Sequence, residues 1–268
     1  MHNTAEQNIS EAFSKQSAIF DELDQSNPII QWMRTRIRQQ MLTFWKPGER
    51  ILELNAGTGL DAIFYAEKGF YVHAIDNAEG MIVQLQEKIA ELKLRDRVTA
   101  ERCSFFDIGK FQQGNFDHIF SNFGGLNCTD KVEEVIAHFF SILKPYGTVT
   151  LVLMPPICPW ELLLALKGNS KVAFRRLKKD GTPSNVEGIN FNSYYYSPSN
   201  IVKMFGKGYK TVSIEGLGIV VPPPYMEKWA EKHPKALKAL TYLEAAIADM
   251  WPVQGWADHF MITVQKRA

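Results

Sequence analysis

The chemistry-bearing residues gather in one stretch, Ile51-Leu52-Glu53-Leu54-Asn55-Ala56-Gly57-Thr58-Gly59-Leu60-Asp61. Arg50 to Leu54 has the short, branched character of a buried strand, and Asp61 to Gly69 carries helical apolar spacing at Ile63, Phe64 and Ala66. Gly57 and Gly59 between them lack a Cβ, so the backbone can turn sharply and aim amide N–H groups and a helix N-terminus at an anionic or polar ligand. A second strand, Tyr71 to Ile75, ends in Asp76, about twenty residues past the turn, where a carboxylate can accept both hydroxyls of a ribose. Turn plus acid reads as an adenosine site. Gly57-Thr58-Gly59-Leu60-Asp61-Ala62 also fits the loose dinucleotide fingerprint, so an adenosyl and a nicotinamide cofactor both remain open on these residues alone.

The flanking residues decide between them by resemblance. Glu53 with Gly57 and Gly59 resembles the first motif of the class I S-adenosylmethionine-dependent methyltransferases, of the small-molecule type, and four more segments follow in register over about a hundred residues. Ala74-Ile75-Asp76-Asn77-Ala78-Glu79-Gly80-Met81 resembles the second motif, whose acid takes the ribose and whose methionine packs on adenine. Cys103-Ser104-Phe105-Phe106-Asp107 sits where the family reads the adenine edge. Phe116 to Asn127, containing Ser121-Asn122-Phe123-Gly124-Gly125, resembles the fourth strand and the loop facing the methyl group, and Leu143-Lys144-Pro145-Tyr146-Gly147 the turn before strand five. The resemblance implies S-adenosyl-L-methionine as cofactor, held by Glu53, Asn55, Ala56, Gly57, Gly59, Asp76, Asn77, Met81, Ser104, Phe105 and Asn122. Three residues depart from the pattern. Asn55 replaces a glycine but tolerates a left-handed backbone, Ala78 replaces a helix-capping serine, and Ser104 stands where aspartate is frequent yet can still hydrogen-bond adenine.

The elements that must position these residues follow from the alternation of patterns. Strands are expected at Arg50 to Leu54, Tyr71 to Ile75, Val98 to Arg102, Asp117 to Ser121 and Thr148 to Leu153, with helices from Leu60, Ala78 and Asp130 between them. This predicts an α/β fold, a Rossmann-like, doubly wound seven-stranded sheet whose last strand, His259 to Gln265, runs antiparallel. Ligands in such sheets lie beyond the carboxyl ends of the strands, where Asn55, Asp76, Ser104 and Asn122 all fall. We expect one domain: a helical leader at 1–46 split at Ser26-Asn27-Pro28, a cofactor core at 47–154, a cap at 155–197 between strands five and six, and a C-terminal part at 198–268. In the leader, Phe20-Asp21 resembles an aromatic-acid pair that closes over the cofactor, with plain packing on the sheet as the alternative. Arg34, Arg36 and Arg38 alternate and read as a solvated surface. A C-terminal helical pair broken at Pro234 carries the stripe Leu237, Leu240, Leu243, Ile247 and Met250, read as core packing with a homodimer face as the alternative.

Methyl transfer from a sulfonium is an in-line displacement that needs positioning, a dry site and, for a protonated acceptor, a base. Asn127 is the candidate for orienting an acceptor, its alternative being to shape the turn before Cys128. His259 reads as a structural histidine and, after water, as the first candidate base, although strand alternation points Asp258 away from it. His73 and His118 read as packed strand residues, and no metal-ligand spacing occurs. Trp160, Tyr194, Tyr195 and Tyr196 offer an aromatic wall for a flat or greasy acceptor or a half-buried strand. Lys167, Lys171, Arg175, Arg176, Lys178 and Lys179 read as a solvated basic face, with anion binding as the alternative.

With 46% hydrophobic and 22% charged residues, the 268-residue chain has the composition of a soluble globular protein, and its net charge of +1 offers no general attraction to nucleic acid. Ser121-Asn122-Phe123-Gly124 does not resemble the Asn-Pro-Pro-aromatic sequence of enzymes that methylate base amino groups. Met1 to Ser10 lacks the form of an export signal, and prolines and Glu161 break the most apolar run, so a cytoplasmic protein without a membrane span is expected. Three scattered cysteines fit reduced thiols. The reading is S-adenosylmethionine-dependent methyl transfer to a small-molecule or lipid-like acceptor. Its rivals are an NAD(P)-dependent oxidoreductase, weakened by the absence of any Tyr-x-x-x-Lys, and a cofactor-binding module of the same fold that transfers nothing.

Overall fold

The computed structural model describes residues 2–268, apart from the side chains of His2, Asn3, Thr4 and Lys167; Met1 and the side chain of Lys167, named above, lie outside the described residues. Two helices lead the chain, α1 (His2–Ser26) and α2 (Pro28–Phe44). They part at Asn27, whose side-chain oxygen accepts the amides of Ile29 and Ile30 at 3.0 and 3.2 Å, with Pro28 at the first helical position where no N–H is needed.

The alternation then runs β1 (Arg50–Leu54), α3 (Leu60–Glu67), β2 (Tyr71–Asp76), α4 (Glu79–Glu91), β3 (Val98–Arg102), β4 (Phe116–Ser121), α5 (Val132–Ile142) and β5 (Leu143–Leu153). After it come the short helices α6 (Pro159–Leu162) and α7 (Ser170–Ala173), the hairpin β6 (Thr182–Val186) and β7 (Ile189–Ser193), α8 (Pro198–Phe205), β8 (Tyr209–Leu217), α9 (Glu227–Lys232), α10 (Pro234–Ile247) and β9 (His259–Lys266). The main sheet has the order β3-β2-β1-β4-β5-β9-β8, with β9 antiparallel to both neighbours, as the alternation implies. Helices cover both faces: Leu52, Leu54, Ile119 and Leu151 pack toward α5 and α8, and Ile51, Phe120 and Val152 toward α2, α3 and α4. None of the described helices is long and apolar enough to cross a membrane.

Five expectations need correction. β5 starts at Leu143, because Leu143 pairs with Phe116 and a bulge before His118 absorbs the Pro145-Tyr146-Gly147 kink. The half-buried strand read at the cap's tyrosines falls earlier, at Ile189–Ser193, as the second arm of a hairpin; Glu187 and Gly188, at φ +49° and +80°, form its two-residue turn, and Gly188 is the signal that could have revealed it. Arg34 is buried and Arg36 and Arg38 are ion-paired, because acids from three other elements meet the arginines of α2. The α10 stripe is core only in part: Leu237 and Leu240 pack against the core, Leu243 and Met250 are exposed, and Glu244 is the buried residue of that helix. Its carboxylate accepts the amides of Gly218, Ile219, Val220 and Val221 at 2.8 to 2.9 Å, so one acid docks the helix by satisfying donors that would otherwise be buried unpaired. Last, Asp258 and His259 are not turned apart: Asp258 precedes the strand, outside its alternation, and its Oδ2 lies 2.9 Å from His259 Nδ1.

Candidate active site

The tips of β1, β2 and β4 and the loop after β3 converge on a cavity of about 180 Å³. Asn55, Gly57, Asp76, Asn77, Met81, Ser104, Phe105 and Asn122, eight of the residues expected at the cofactor, line it. The turn that builds it is strained in the manner foreseen. Asn55 adopts φ +53°, and Gly59, at φ +83°, passes so close to α4 that a Cβ there would meet Leu85 Cδ1 at 2.1 Å. The turn is locked to strand two by Asp76, whose Oδ2 accepts the Gly57 amide at 2.9 Å and whose Oδ1 accepts the Ala78 amide at 2.8 Å. The capping role that Ala78 cannot perform falls to Ser14 of α1, whose hydroxyl accepts the Gly80 amide at 3.2 Å. Burial raises the Asp76 pKa, and the amides of Ala78, Gly57 and Asn77 oppose that rise. An ionised carboxylate has about four lone-pair sites, more than these amides use, so it can still accept from a ribose hydroxyl.

Ala56 and Gly59 shape the turn without lining the cavity. Glu53 lies behind it, 2% exposed, with Oε2 lacking a hydrogen-bond partner. Burial, then the nearby Asp61 carboxylate, hold the Glu53 pKa well above its ordinary value. Asp61 is held in the charged form against its burial by Arg34 and Arg38; Arg38 Nε donates to it at 2.7 Å and the Asn122 carboxamide at 2.8 Å. Arg34 also grips Asp24 and stacks 4.6 Å above the ring of Phe123, whose φ of +45° turns it into the cavity wall. Phe123 and Cys128 were not singled out for the wall; the Gly124-Gly125 pair that follows a strand was the available signal.

The helix α1 closes the front. Phe13 and Phe20 line the cavity, with Phe20 standing 3.6 Å from where a Cβ on Gly57 would be. Asp21 accepts from the Thr58 hydroxyl and the Lys88 ammonium, and Lys88 also donates to the Thr58 carbonyl at 3.1 Å. Ser10 donates to the Asn77 carbonyl at 2.9 Å, and Ser104 to Glu6 at 3.2 Å. The Phe20-Asp21 pair thus sits against the glycine turn.

The two residues proposed for chemistry are placed elsewhere. Asn127 is fully buried and its carboxamide is spent on backbone: it donates to the carbonyls of Met154 and Tyr194 at 3.1 and 2.5 Å and accepts the Met154 amide at 2.9 Å, tying the loop after β4 to the cap. His259 stands behind Phe123, ring centroids 6.0 Å apart, and does not line the cavity. Asp258, which positions it, accepts Arg176 at 2.7 Å; Arg176 and Arg175 also hold the buried Glu161. Against their burial, His259 and Arg176 keep Asp258 ionised, and the two arginines do the same for Glu161. Cys158, Glu161 and Asp258 cluster closely enough to share an ion, yet the guanidinium of Arg176 is bound to both acids. Tyr194 borders a second cleft, of about 310 Å³, between α1 and the cap hairpin; it meets the first cavity at Ile9 and Cys128 and is walled by Asn190, Phe191 and Asn192.

A doubly wound sheet with a reversed last strand and a glycine turn tied to a strand-end acid make up the class I methyltransferase fold. Residues 51–147 match the family model described as a methyltransferase domain. A demethylmenaquinone methyltransferase of Symbiobacterium thermophilum is 26% identical over 146 residues, 53% of this chain and 57% of that protein, so the match spans little more than half of the relative. An S-adenosyl-L-methionine-dependent Diels-Alderase of Talaromyces variabilis is 28% identical over 39% of this chain and 36% of its own. Among solved structures, geranyl diphosphate C-methyltransferase of Streptomyces coelicolor shares the fold, with a TM-score of 0.57 at 13% identity over 89% of this chain and 80% of that one.

Proposed function

We propose that this protein transfers a methyl group from S-adenosylmethionine to a neutral small-molecule or lipid-like acceptor entering between α1 and the cap hairpin. The observation that carries the reading is the single cavity at which four strand-end segments meet, with the Asp76 carboxylate bonded to the glycine turn and still offering lone pairs. Bound there, S-adenosylmethionine supplies a methyl group made electrophilic by its sulfonium. Asp76 would hold the ribose, Met81 and Phe105 would flank adenine, and Ser104 would meet its edge. Phe13 and Phe20 exclude water, which strengthens every polar contact inside and prevents hydrolysis.

The titratable groups lining the cavity, among the described residues, are Glu6, Asp76 and Cys128, and burial pushes the Cys128 thiol up to about 12, so it stays protonated. Positioning therefore accounts for the rate. An acceptor that ionises itself, or passes its proton to water as the new bond forms, suits such a site. The cap arginines are consumed by Glu161 and Asp258, which argues against an anionic acceptor at that point. The amides of Asn8, Asn190 and Asn192 with the rings of Phe191 and Tyr194 favour an uncharged, hydrogen-bonding, partly apolar molecule.

The engagement of both wall carboxylates, Asp76 by the turn amides and Glu6 by Ser104, favours one second reading, a site that holds the cofactor without using its methyl group, in keeping with the relative described as a Diels-Alderase. Incubation with methyl-labelled S-adenosylmethionine and a panel of neutral quinols and phenols separates the two. Label on an acceptor together with S-adenosylhomocysteine supports transfer, and tight cofactor binding without label supports the second reading. Thermal stabilisation by a nicotinamide nucleotide but not by S-adenosylhomocysteine would overturn both. Asp76→Ala should weaken S-adenosylhomocysteine binding by about 1.5 to 3 kcal/mol in calorimetry, the usual worth of hydrogen bonds to a charged group.

A further inference from the structure

The helical part of the cap presents an unusual outer face. Leu163, Phe174 and Leu177 are 51%, 50% and 54% exposed and Leu166 is 85% exposed, so four large apolar side chains of one small unit stand half or more in water. They are neighbours: α6, α7 and the turns of 3₁₀ helix at Leu163–Lys167 and Arg175–Leu177 pack on one another. Lys171, Lys178 and Lys179 are exposed in the same unit, and among the described residues none of them pairs with a carboxylate. Of the two acids in residues 155–181, Glu161 is buried and taken by Arg175 and Arg176, which leaves Asp180 alone facing water. Free lysines around exposed leucine and phenylalanine are the composition of a segment that lies in a lipid interface, with apolar groups at the acyl boundary and ammonium groups among anionic headgroups.

We infer that the cap face formed by Leu163, Leu166, Phe174 and Leu177 with Lys171, Lys178 and Lys179 docks reversibly on an anionic lipid surface. Charge complementarity selects this occupant. A second copy of the chain would bring the same unpaired lysines against one another around a two-fold axis, where like charges repel. The net charge of +1 makes the attraction local to the cap, so binding orients the molecule. The cap follows β5 directly and stands on the rim of the sheet that carries the cavity, so docking turns that rim toward the lipid.

Sedimentation of the full chain with vesicles of equimolar phosphatidylglycerol and phosphatidylcholine, against pure phosphatidylcholine, tests the inference. Binding is expected on the anionic vesicles, much less on the neutral ones, and should fall as salt is raised. The triple variant Lys171→Gln, Lys178→Gln, Lys179→Gln should lose on the order of 100-fold in partitioning, from about 1 kcal/mol per lysine near an anionic surface. Leu166→Asp should lose binding as well, and both variants should keep wild-type affinity for S-adenosylhomocysteine, which shows that they are folded. Equal binding to both vesicle types, no binding to either, or variants that bind like the wild type would overturn the inference. So would a concentration-dependent dimer abolished by Leu166→Asp, which would assign the face to a second copy. None of these results bears on methyl transfer.

Discussion

Two buried arginine clusters flank the rim of the sheet, and they are balanced differently. Behind the glycine turn, Arg34 and Arg38 face three acids, Asp24, Asp61 and Glu53, and bind only the first two. Behind the cap, Arg175 and Arg176 face Glu161 and Asp258, with His259 as a further partner of Asp258. In the cap cluster each acid has a cation and stays ionised against its burial. In the cofactor cluster one carboxyl is left over, and burial beside Asp61 favours its proton-bearing form. The difference separates two uses of buried charge. A matched cluster fixes geometry, here pinning the cap to the start of β9, whereas an acid-rich one also leaves a group whose proton depends on what binds next to it.

The largest effect should come from unbalancing the matched cluster. Arg176→Met removes the guanidinium shared by Glu161 and Asp258, both almost fully buried, and leaves Asp258 with His259 alone. Breaking a buried pair by deleting one partner typically costs about 3 to 5 kcal/mol, and urea unfolding should show a loss of that size. A loss under about 1 kcal/mol would mean that the acids find water or protons at little cost, and the contrast between the clusters would disappear.

The sheet was legible because its signals are local: apolar runs at β1 to β5 and helical spacing between them declare themselves within a few residues. The convergence of the residues expected at the cofactor was legible because a left-handed turn and a strand-end acid leave glycines and Asp76 at recognisable spacing. The clusters were not. Arg34 meets Asp24 ten positions away and Asp61 twenty-seven away, and Arg176 meets Asp258 across eighty-two, so each arginine taken alone looks like surface. Alternating arginines on a helix say nothing about acids that the fold brings from other elements. The reading that turns Asp258 away from His259 failed by one residue of strand boundary, since alternation does not govern Asp258 when the strand starts after it. Asn127 was legible as a polar residue near the site but not as a tie between loop and cap, because its partners are backbone groups of Met154 and Tyr194 that no side-chain pattern marks.

The acid-rich cluster sharpens the comparison through pH. For Glu53 the folded pKa lies above the unfolded one, so the folded state binds more protons and stability falls as pH rises from about 4.3, the usual glutamate value, toward the raised folded value. Glu53→Gln keeps the shape without the titration. Its stability relative to wild type should therefore increase by up to about 1.4 kcal/mol per pH unit across that window, measured by urea unfolding at successive pH values. Asp258 works in the opposite sense. Its folded pKa is depressed, so its contribution is present above the unfolded aspartate value of about 3.9 and is lost as pH falls below it. A Glu53→Gln curve parallel to wild type would mean that Glu53 is ionised and matched after all.

The smallest effect belongs to a third ion pair, at the mouth of the cavity, which lacks the burial of the other two. Asp21 and Lys88 keep 31% and 21% of their side chains exposed, so their attraction is screened by water and salt. Asp21→Ala should change global stability by less than about 1 kcal/mol. It nevertheless removes the acceptor that joins α1 to Thr58 and to Lys88 of α4 while leaving Phe20 on the glycine turn, so its consequence is kinetic. With α1 held by one fewer contact, stopped-flow release of S-adenosylhomocysteine should be a few-fold faster at nearly unchanged unfolding free energy. Release at the wild-type rate would show that the aromatic side chains alone keep the helix shut. Ion pairing at this rim would then serve architecture only where it is buried.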